Sequence, residues 1–377
     1  MKHIKNHIHL FYTFTYILVL FPLLGSSQVI SKEPEDLFVV GSESIHFKSE
    51  INHSEYTLYI NLPESYGKDR TQTYPVFYVL DGYRIFGTTT HIYNGVWDDG
   101  FTPEIIIVGI TNSGSKENPT LHRTRDLTPT TIDRIVTSGG APTFLKVLSD
   151  EIIPLTDRLY STDKTNRTLF GTSFAGMFTH YTLFTQPSLF ANYIIHNPTL
   201  WWDRDYLYKL EETFFQNNKR LHSKVIFLEG EFNDLPKASA MYEQIKEHNY
   251  NDMTIDFRLV QNMGHLGGEA EAINQGMRFV YKRLTISLPE EKLIEYCGTY
   301  KDGTYIREIA IRDGQLTLVR PGEVKGANIQ VINSSEFSIL GRYFDFIFNR
   351  DEKGNVIGFT SQLDTDPTRT RTAIKIK

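Results

Sequence analysis

The sequence predicts an α/β fold, a three-layer arrangement with a mostly parallel central sheet, followed by a small antiparallel β C-terminal domain. Three observations predict it. From about residue 55 to 285, short apolar runs alternate with stretches of helical period. Several of those runs are continuously apolar, as strands buried on both faces must be. Past Pro289 the pattern changes to short alternating segments separated by turn residues.

The elements follow in order. Residues 56–62 alternate and read as the first strand. Residues 76–80 and 105–110 are continuous apolar runs bounded by Pro, Gly or polar residues, and 168–170, 193–196, 224–228 and 255–260 supply four more strands. Residues 141–160 space Phe144, Leu145, Val147, Leu148, Ile152, Leu155 and Leu159 near the helical period. Pro154 is expected to kink or split that helix, because proline has no N–H to donate. Residues 174–185, 237–248 and 269–284 read as further helices. In the tail, a brief helix at 289–296 precedes strands at 306–311, 315–319, 329–332, 343–348 and 356–360. Asp313-Gly314, Pro321-Gly322 and Lys353-Gly354-Asn355 mark turns between them.

Lys2 and Lys5 precede an apolar run over residues 10–24, and Gly25-Ser26-Ser27 offers small residues for cleavage before Gln28. The run, at about fifteen residues, is shorter than the roughly twenty a spanning helix needs. The expectation is therefore a signal peptide at 1–27, a catalytic domain at 28–288 and a β-rich module at 289–377. It carries with it export to a periplasm or the exterior of a bacterial cell, with no stable membrane span after removal. Cys297 is the single cysteine, so no intrachain disulfide can form. The formal charge of −6 comes without a basic stripe and argues against nucleic acid as a partner. Neither a cysteine pair nor a Gly-rich phosphate loop is present, so no metal or cofactor is expected.

The most informative stretch is Thr168-Leu169-Phe170-Gly171-Thr172-Ser173-Phe174-Ala175-Gly176. A short strand runs into a Gly-x-Ser-x-small turn and an apolar helix leaves it. A serine on such a turn stands clear of the sheet, while the helix start aims free N–H groups at developing negative charge. Ser173 is the candidate nucleophile. The alternative is a serine that merely caps the helix.

The base should follow the nucleophile and the acid in chain order. His265, within Asn262-Met263-Gly264-His265-Leu266-Gly267-Gly268, lies just past the last predicted strand and before the last helix. For the acid, the loop Glu229-Gly230-Glu231-Phe232-Asn233-Asp234 offers Glu231 and Asp234, with Asp234 deeper in the loop and Glu229 ending the strand. A serine–histidine dyad without an acid is the other option. Two backbone donors must face an oxyanion: the N–H of Phe174, and that of Tyr83 in Leu80-Asp81-Gly82-Tyr83. Asp81 is expected to fix that loop through backbone hydrogen bonds, and Arg123, Arg125 and Asp126 to hold a neighbouring loop by an ion pair. Trp201 and Trp202 either wall a substrate or cover the core.

Together these segments resemble an esterase family that includes esterase D-type enzymes, enterochelin and related siderophore esterases, and feruloyl esterases. The resemblance rests on Tyr74-Pro75-Val76-Phe77-Tyr78-Val79-Leu80-Asp81-Gly82, Arg123-Thr124-Arg125-Asp126-Leu127-Thr128-Pro129, Gly139-Gly140-Ala141, Gly171-Thr172-Ser173-Phe174-Ala175-Gly176, Asn197-Pro198-Thr199-Leu200-Trp201-Trp202-Asp203 and Gly264-His265. It implies an α/β-hydrolase fold with Ser173 as nucleophile and His265 as base. The frequent Gly-His-Ser-Phe-Gly-Gly form is altered here at Thr172 and Ala175. Glu295-Tyr296-Cys297-Gly298-Thr299-Tyr300 resembles the opening of small β modules attached to secreted bacterial hydrolases and serine β-lactamase relatives. The function implied is a secreted serine esterase acting through an acyl-enzyme on a small-molecule, sugar or siderophore ester. An acyltransferase using the same site and a decayed binding protein on a hydrolase scaffold are the alternatives.

Overall fold

The computed structural model describes residues 39–68, 71–112, 119–283, 285–320, 322–323, 325–339, 345–363 and 366–377. The export segment expected at 1–27 lies outside them, as do residue 284, residues 343–344 and Pro321 of the expected elements.

Eight strands form one sheet: β1 (Ser42–Lys48), β2 (Glu55–Asn61), β3 (Tyr74–Val79), β4 (Ile106–Asn112), β5 (Thr162–Thr172), β6 (Asn192–His196), β7 (Lys224–Gly230) and β8 (Thr254–Val260). Their order is β1-β2-β4-β3-β5-β6-β7-β8. β2 runs antiparallel to both β1 and β4, and every pair from β4 to β8 is parallel. That is the mostly parallel sheet the apolar runs predict. All seven strands read from the sequence are present. β1 is an addition, a mostly polar edge strand whose Ile45 and Phe47 pack partly buried against the core.

Helices cover both faces: α1 (Gly82–Asp98), α2 (Pro119–Asp126), α3 (Ala141–Lys146), α4 (Ile153–Leu159), α5 (Phe174–Thr185), α6 (Tyr206–Asn217), α7 (Leu235–His248) and α8 (Glu269–Val280). The helical stretch predicted over 141–160 is continuous rather than broken in two. α3 and α4 are joined by one π-helical turn over Val147–Ile152, just before Pro154 in the first turn of α4. A widened turn absorbs the missing proline N–H there. Separate apolar clusters fill the two sides of the sheet. One gathers Tyr56, Phe144, Phe178 and Trp202, the other Phe77, Trp97, Phe170 and Met277.

A short helix α9 (Glu290–Leu293) leads into β9 (Gly298–Asp302), β10 (Tyr305–Arg312), β11 (Gln315–Val319), β12 (Ala327–Val331), β13 (Glu336–Ile339), β14 (Asp345–Arg350), β15 (Val356–Leu363) and β16 (Asp366–Lys375). These form a closed antiparallel barrel, sealed where β16 pairs with β9. Closure removes both open edges. Tyr300, Phe337, Phe346, Phe348 and Phe359 pack its interior. Cys297 is half-buried, its thiol is pushed up mainly by burial, and Sγ points to the Leu293 carbonyl 3.6 Å away. Neither feature suits a nucleophile.

Candidate active site

The parallel strands end their carboxyl termini on one rim of the sheet, where α/β folds hold their sites. Ser173 lies there, between β5 and α5. Its backbone has φ 61° and ψ −120°, a conformation that L-residues avoid. The surroundings impose it. The Ser173 N–H donates to the His196 carbonyl at 3.1 Å, and the Ser173 carbonyl accepts from Met177 and Thr199. A side chain at Gly171 would land on the Ala175 carbonyl, and one at Gly176 would come within 2.6 Å of the His196 carbonyl. Ala175 itself lies in the first turn of α5 with its methyl fully buried, so the turn accommodates the departure from glycine. Thr172, the other departure, points inward, where its Oγ1 and His196 Nδ1 lie 2.9 Å apart.

The loop after β8 brings His265 to the serine: Nε2 lies 2.9 Å from Ser173 Oγ. Burial lowers the imidazole below its ordinary range. The Arg123 charge adds to this, Glu269 opposes it, and Arg84 lowers it further. His265 is therefore uncharged near neutral pH and free to accept a proton.

The partner on the far side of the ring is neither expected carboxylate. His265 Nδ1 lies 2.9 Å from Asn233 Oδ1. Glu231 turns away and accepts from the Asn262 N–H at 2.7 Å. Asp234 stands at the entrance to α7, where its backbone carbonyl accepts from Ala238. Backbone ties in the loop set this placement. The Glu231 N–H is tied to the Val260 carbonyl and the Phe232 N–H to the Met263 carbonyl. The next residue, Asn233, is the one presented to the ring. Its amide Nδ2 donates onward to Glu229 Oε1 at 2.5 Å.

One residue ties the three loops together. Asn197, held at φ 42° after β6, donates to the His265 carbonyl at 2.8 Å and accepts from the Gly230 N–H at 2.8 Å. Asn197 and Asn233 both lie in legible loops, but nothing in the sequence assigns either a role. An amide carries no charge signature, so only the hydrogen bonds reveal it.

The two expected oxyanion donors lie at helix starts. Phe174 opens α5, and Tyr83 lies in the first turn of α1. Neither N–H meets an acceptor among the described residues, as befits the first turn of a helix. The register relates them: Val79 of β3 pairs with Phe170 of β5, and each donor lies four residues beyond. Asp81 takes a left-handed φ of 56° between strand and helix. Its carboxylate is held by Arg123 Nε at 2.9 and 3.0 Å rather than by backbone. Arg125 pairs with Asp126 as expected.

The tryptophans part company. Trp202 is 0% exposed and its Nε1 donates to Thr130 Oγ1 at 3.1 Å, so it is a core residue behind Phe174 and cannot wall a substrate. Trp201 is 43% exposed, with the Arg134 guanidinium 4.9 Å over its ring. Phe232, Met263 and Leu266 are also exposed, on the loops that carry Asn233 and His265. No cluster of three or more His, Cys, Asp or Glu side chains that could hold a metal occurs among the described residues. No helix among them is long and apolar enough to cross a membrane.

Residues 49–229 match the family model described as "Putative esterase". Ferri-bacillibactin esterase BesA of Bacillus subtilis is 26% identical over 265 residues, spanning 64% of this chain and 90% of that protein. The siderophore triacetylfusarinine C esterase of Aspergillus fumigatus is 27% identical over 157 residues, or 40% of this chain and 52% of that protein. Among solved structures, the BES protein from Bacillus cereus superposes with a TM-score of 0.60 at 24% identity, covering 66% of this chain and 99% of that one.

Proposed function

Because this chain belongs, through residues 49–229, to the esterase family and is a serine ester hydrolase, we propose that it is an exported enzyme that cleaves a siderophore-type ester through an acyl-enzyme on Ser173. The observation that carries the mechanism is the unbroken contact from Ser173 Oγ to His265 Nε2 and from His265 Nδ1 to Asn233 Oδ1. His265 takes the Ser173 proton as Oγ attacks the ester carbonyl, and the N–H groups of Phe174 and Tyr83 receive the oxyanion. The alcohol leaves with the proton from His265. Water, activated by the same imidazole, then releases the acid. Asn233 holds the ring in the tautomer whose Nε2 is a free acceptor.

The siderophore-type substrate is supported by the likeness to a ferri-bacillibactin esterase and a siderophore triacetylfusarinine C esterase. Trp201, Phe232, Met263 and Leu266 give the rim exposed apolar surface to suit a bulky ligand. Export rests on residues 1–27, and we divide the remainder into a catalytic domain at 28–288 and a barrel module at 289–377. The joined Ser173–His265–Asn233 contacts favour turnover over a decayed binding scaffold. The test is hydrolysis of p-nitrophenyl butyrate and of ferri-siderophore esters by wild type and Ser173→Ala. Loss of a triad serine removes about six orders of magnitude of turnover in a well-studied protease. Equal rates for the two proteins, with no labelling of wild type by a fluorophosphonate, refute the reading.

A further inference from the structure

Behind Asn233 stands a carboxyl group that the mechanism above does not use. Glu229 ends β7 against the loop, 1% exposed, with Oε1 2.5 Å from Asn233 Nδ2. Its Oε2 meets no partner among the described residues. An ionised carboxylate can only accept hydrogen bonds, whereas a carboxamide has a donor end and an acceptor end. Facing an ionised Glu229, Asn233 must turn Nδ2 toward it and Oδ1 toward His265. His265 must then carry its proton on Nδ1, leaving Nε2 to take the proton of Ser173.

We propose that Glu229 is a positioning residue: its ionised carboxylate, acting through Asn233, fixes the direction of the hydrogen bonds that arm Ser173. The inference rests on the hydrolase reading of the site. The negative charge that usually lies directly against a triad histidine stands one side chain further back. When Glu229 is protonated, its O–H can donate and Asn233 is free to turn its amide. The N–H end then faces His265, the ring proton moves to Nε2, and Ser173 loses its acceptor.

The groups that bear on this switch come from every neighbouring element. Burial pushes Glu229 up to about 7, and the Asp234 charge at the start of α7 adds to this. The Asn233 amide and the Asp234 N–H pull the other way. On the far side, His265 is lowered by burial and by Arg123 and Arg84, against Glu269. From β6, Asn197 is uncharged and His196 is held neutral by burial. β8 presents Leu259 opposite Glu229.

The experiment compares wild type, Glu229→Leu and the double variant Asn233→Asp/Glu229→Gln. It measures kcat and KM against pH, melting temperature, and the imidazole tautomer by nitrogen NMR. Wild type is expected to show an acid limb in kcat near pH 7 and an Nδ1–H tautomer at pH 8. Glu229→Leu, while folded, is expected to lose kcat on the order of 100-fold with little change in KM. That is short of the roughly 10,000-fold loss seen when a triad acid itself becomes an amide. The double variant moves the charge one side chain forward and gives it a donor behind. It should recover most of kcat, with the acid limb moved to lower pH.

A folded Glu229→Leu with wild-type kcat, pH profile and tautomer overturns the proposal. So does a folded double variant that recovers nothing. The tautomer arm needs no turnover and is read equally in Ser173→Ala. Failure of the hydrolase reading therefore shows as inactive wild type, and failure of the Glu229 role shows as an unmoved tautomer.

Discussion

The carboxamide of Asn197 holds the carbonyl of His265 at 2.8 Å, so the base on the loop after β8 is anchored from the loop after β6. The same side chain accepts the Gly230 N–H at 2.8 Å, which brings in the loop that carries Asn233. Three chain segments remote in sequence thus meet on one amide.

Replacing Asn197 by glycine keeps its φ of 42° accessible and removes only the side chain. The Gly230 N–H is then left buried without a partner, at a cost of about 1–3 kcal/mol. Chemical denaturation should show that loss, and kcat should fall more than KM rises because His265 is freed. A variant with wild-type stability and turnover contradicts the tie.

Acid sensitivity should trace to buried histidines. His180 has both ring nitrogens unpartnered among the described residues, packs against Phe184 and Phe227, and is lowered from 6.5 to about 3 by burial. Between those values the unfolded chain takes a proton that the folded chain refuses. Stability therefore drops as pH falls through that window, by at most about 1.4 kcal/mol per pH unit for one site. His180→Phe should lower the midpoint of acid unfolding and change little above pH 7. Parallel acid titrations followed by circular dichroism decide it.

Glu229 acts with the opposite sign. Its pKa rises from 4.5 to about 7 on folding, so its neutral form is the one that folding favours. The contribution is complete below pH 4.5 and is lost as pH rises to 7, worth about 3 kcal/mol at most. Relative to wild type, Glu229→Gln should gain stability between pH 5 and pH 8. Urea unfolding at both values measures the difference, and a pH-independent gap excludes it.

Phe337 is fully buried in the barrel, with rings of Tyr296 and Phe348 each 4.7 Å from its own. Phe337→Ala should cost about 3–5 kcal/mol. Calorimetry should show the loss in the transition that carries the barrel. A shift of less than a degree or two speaks against a tightly packed interior.

The sequence made some of this legible and withheld the rest for physical reasons. The buried strands announce themselves because both faces must be apolar, and the turn at Ser173 because so few residue types fit it. α1 is not legible because Gly82 and three successive threonines weaken its helical signature. β1 is an edge strand whose Ile45 and Phe47 are only partly buried against the core, too short an alternation to stand out among polar neighbours. Adjacent Trp201 and Trp202 share a composition and differ only in direction, which periodicity over two residues cannot resolve. A third triad member is expected to be a carboxylate, whereas the loop presents an amide with its charge one step behind.

The pairing of Val79 with Phe170 has a last consequence. From that pair, each chain takes four residues to reach an unpaired N–H at a helix start, one at Tyr83 and one at Phe174. Adding or deleting one residue in either turn would rotate its helix by about 100° and swing that N–H off the rim. Their length is therefore as constrained as their composition at Gly82 and Gly171, where a side chain would meet backbone. An insertion scan across the rim would find its least forgiving points there.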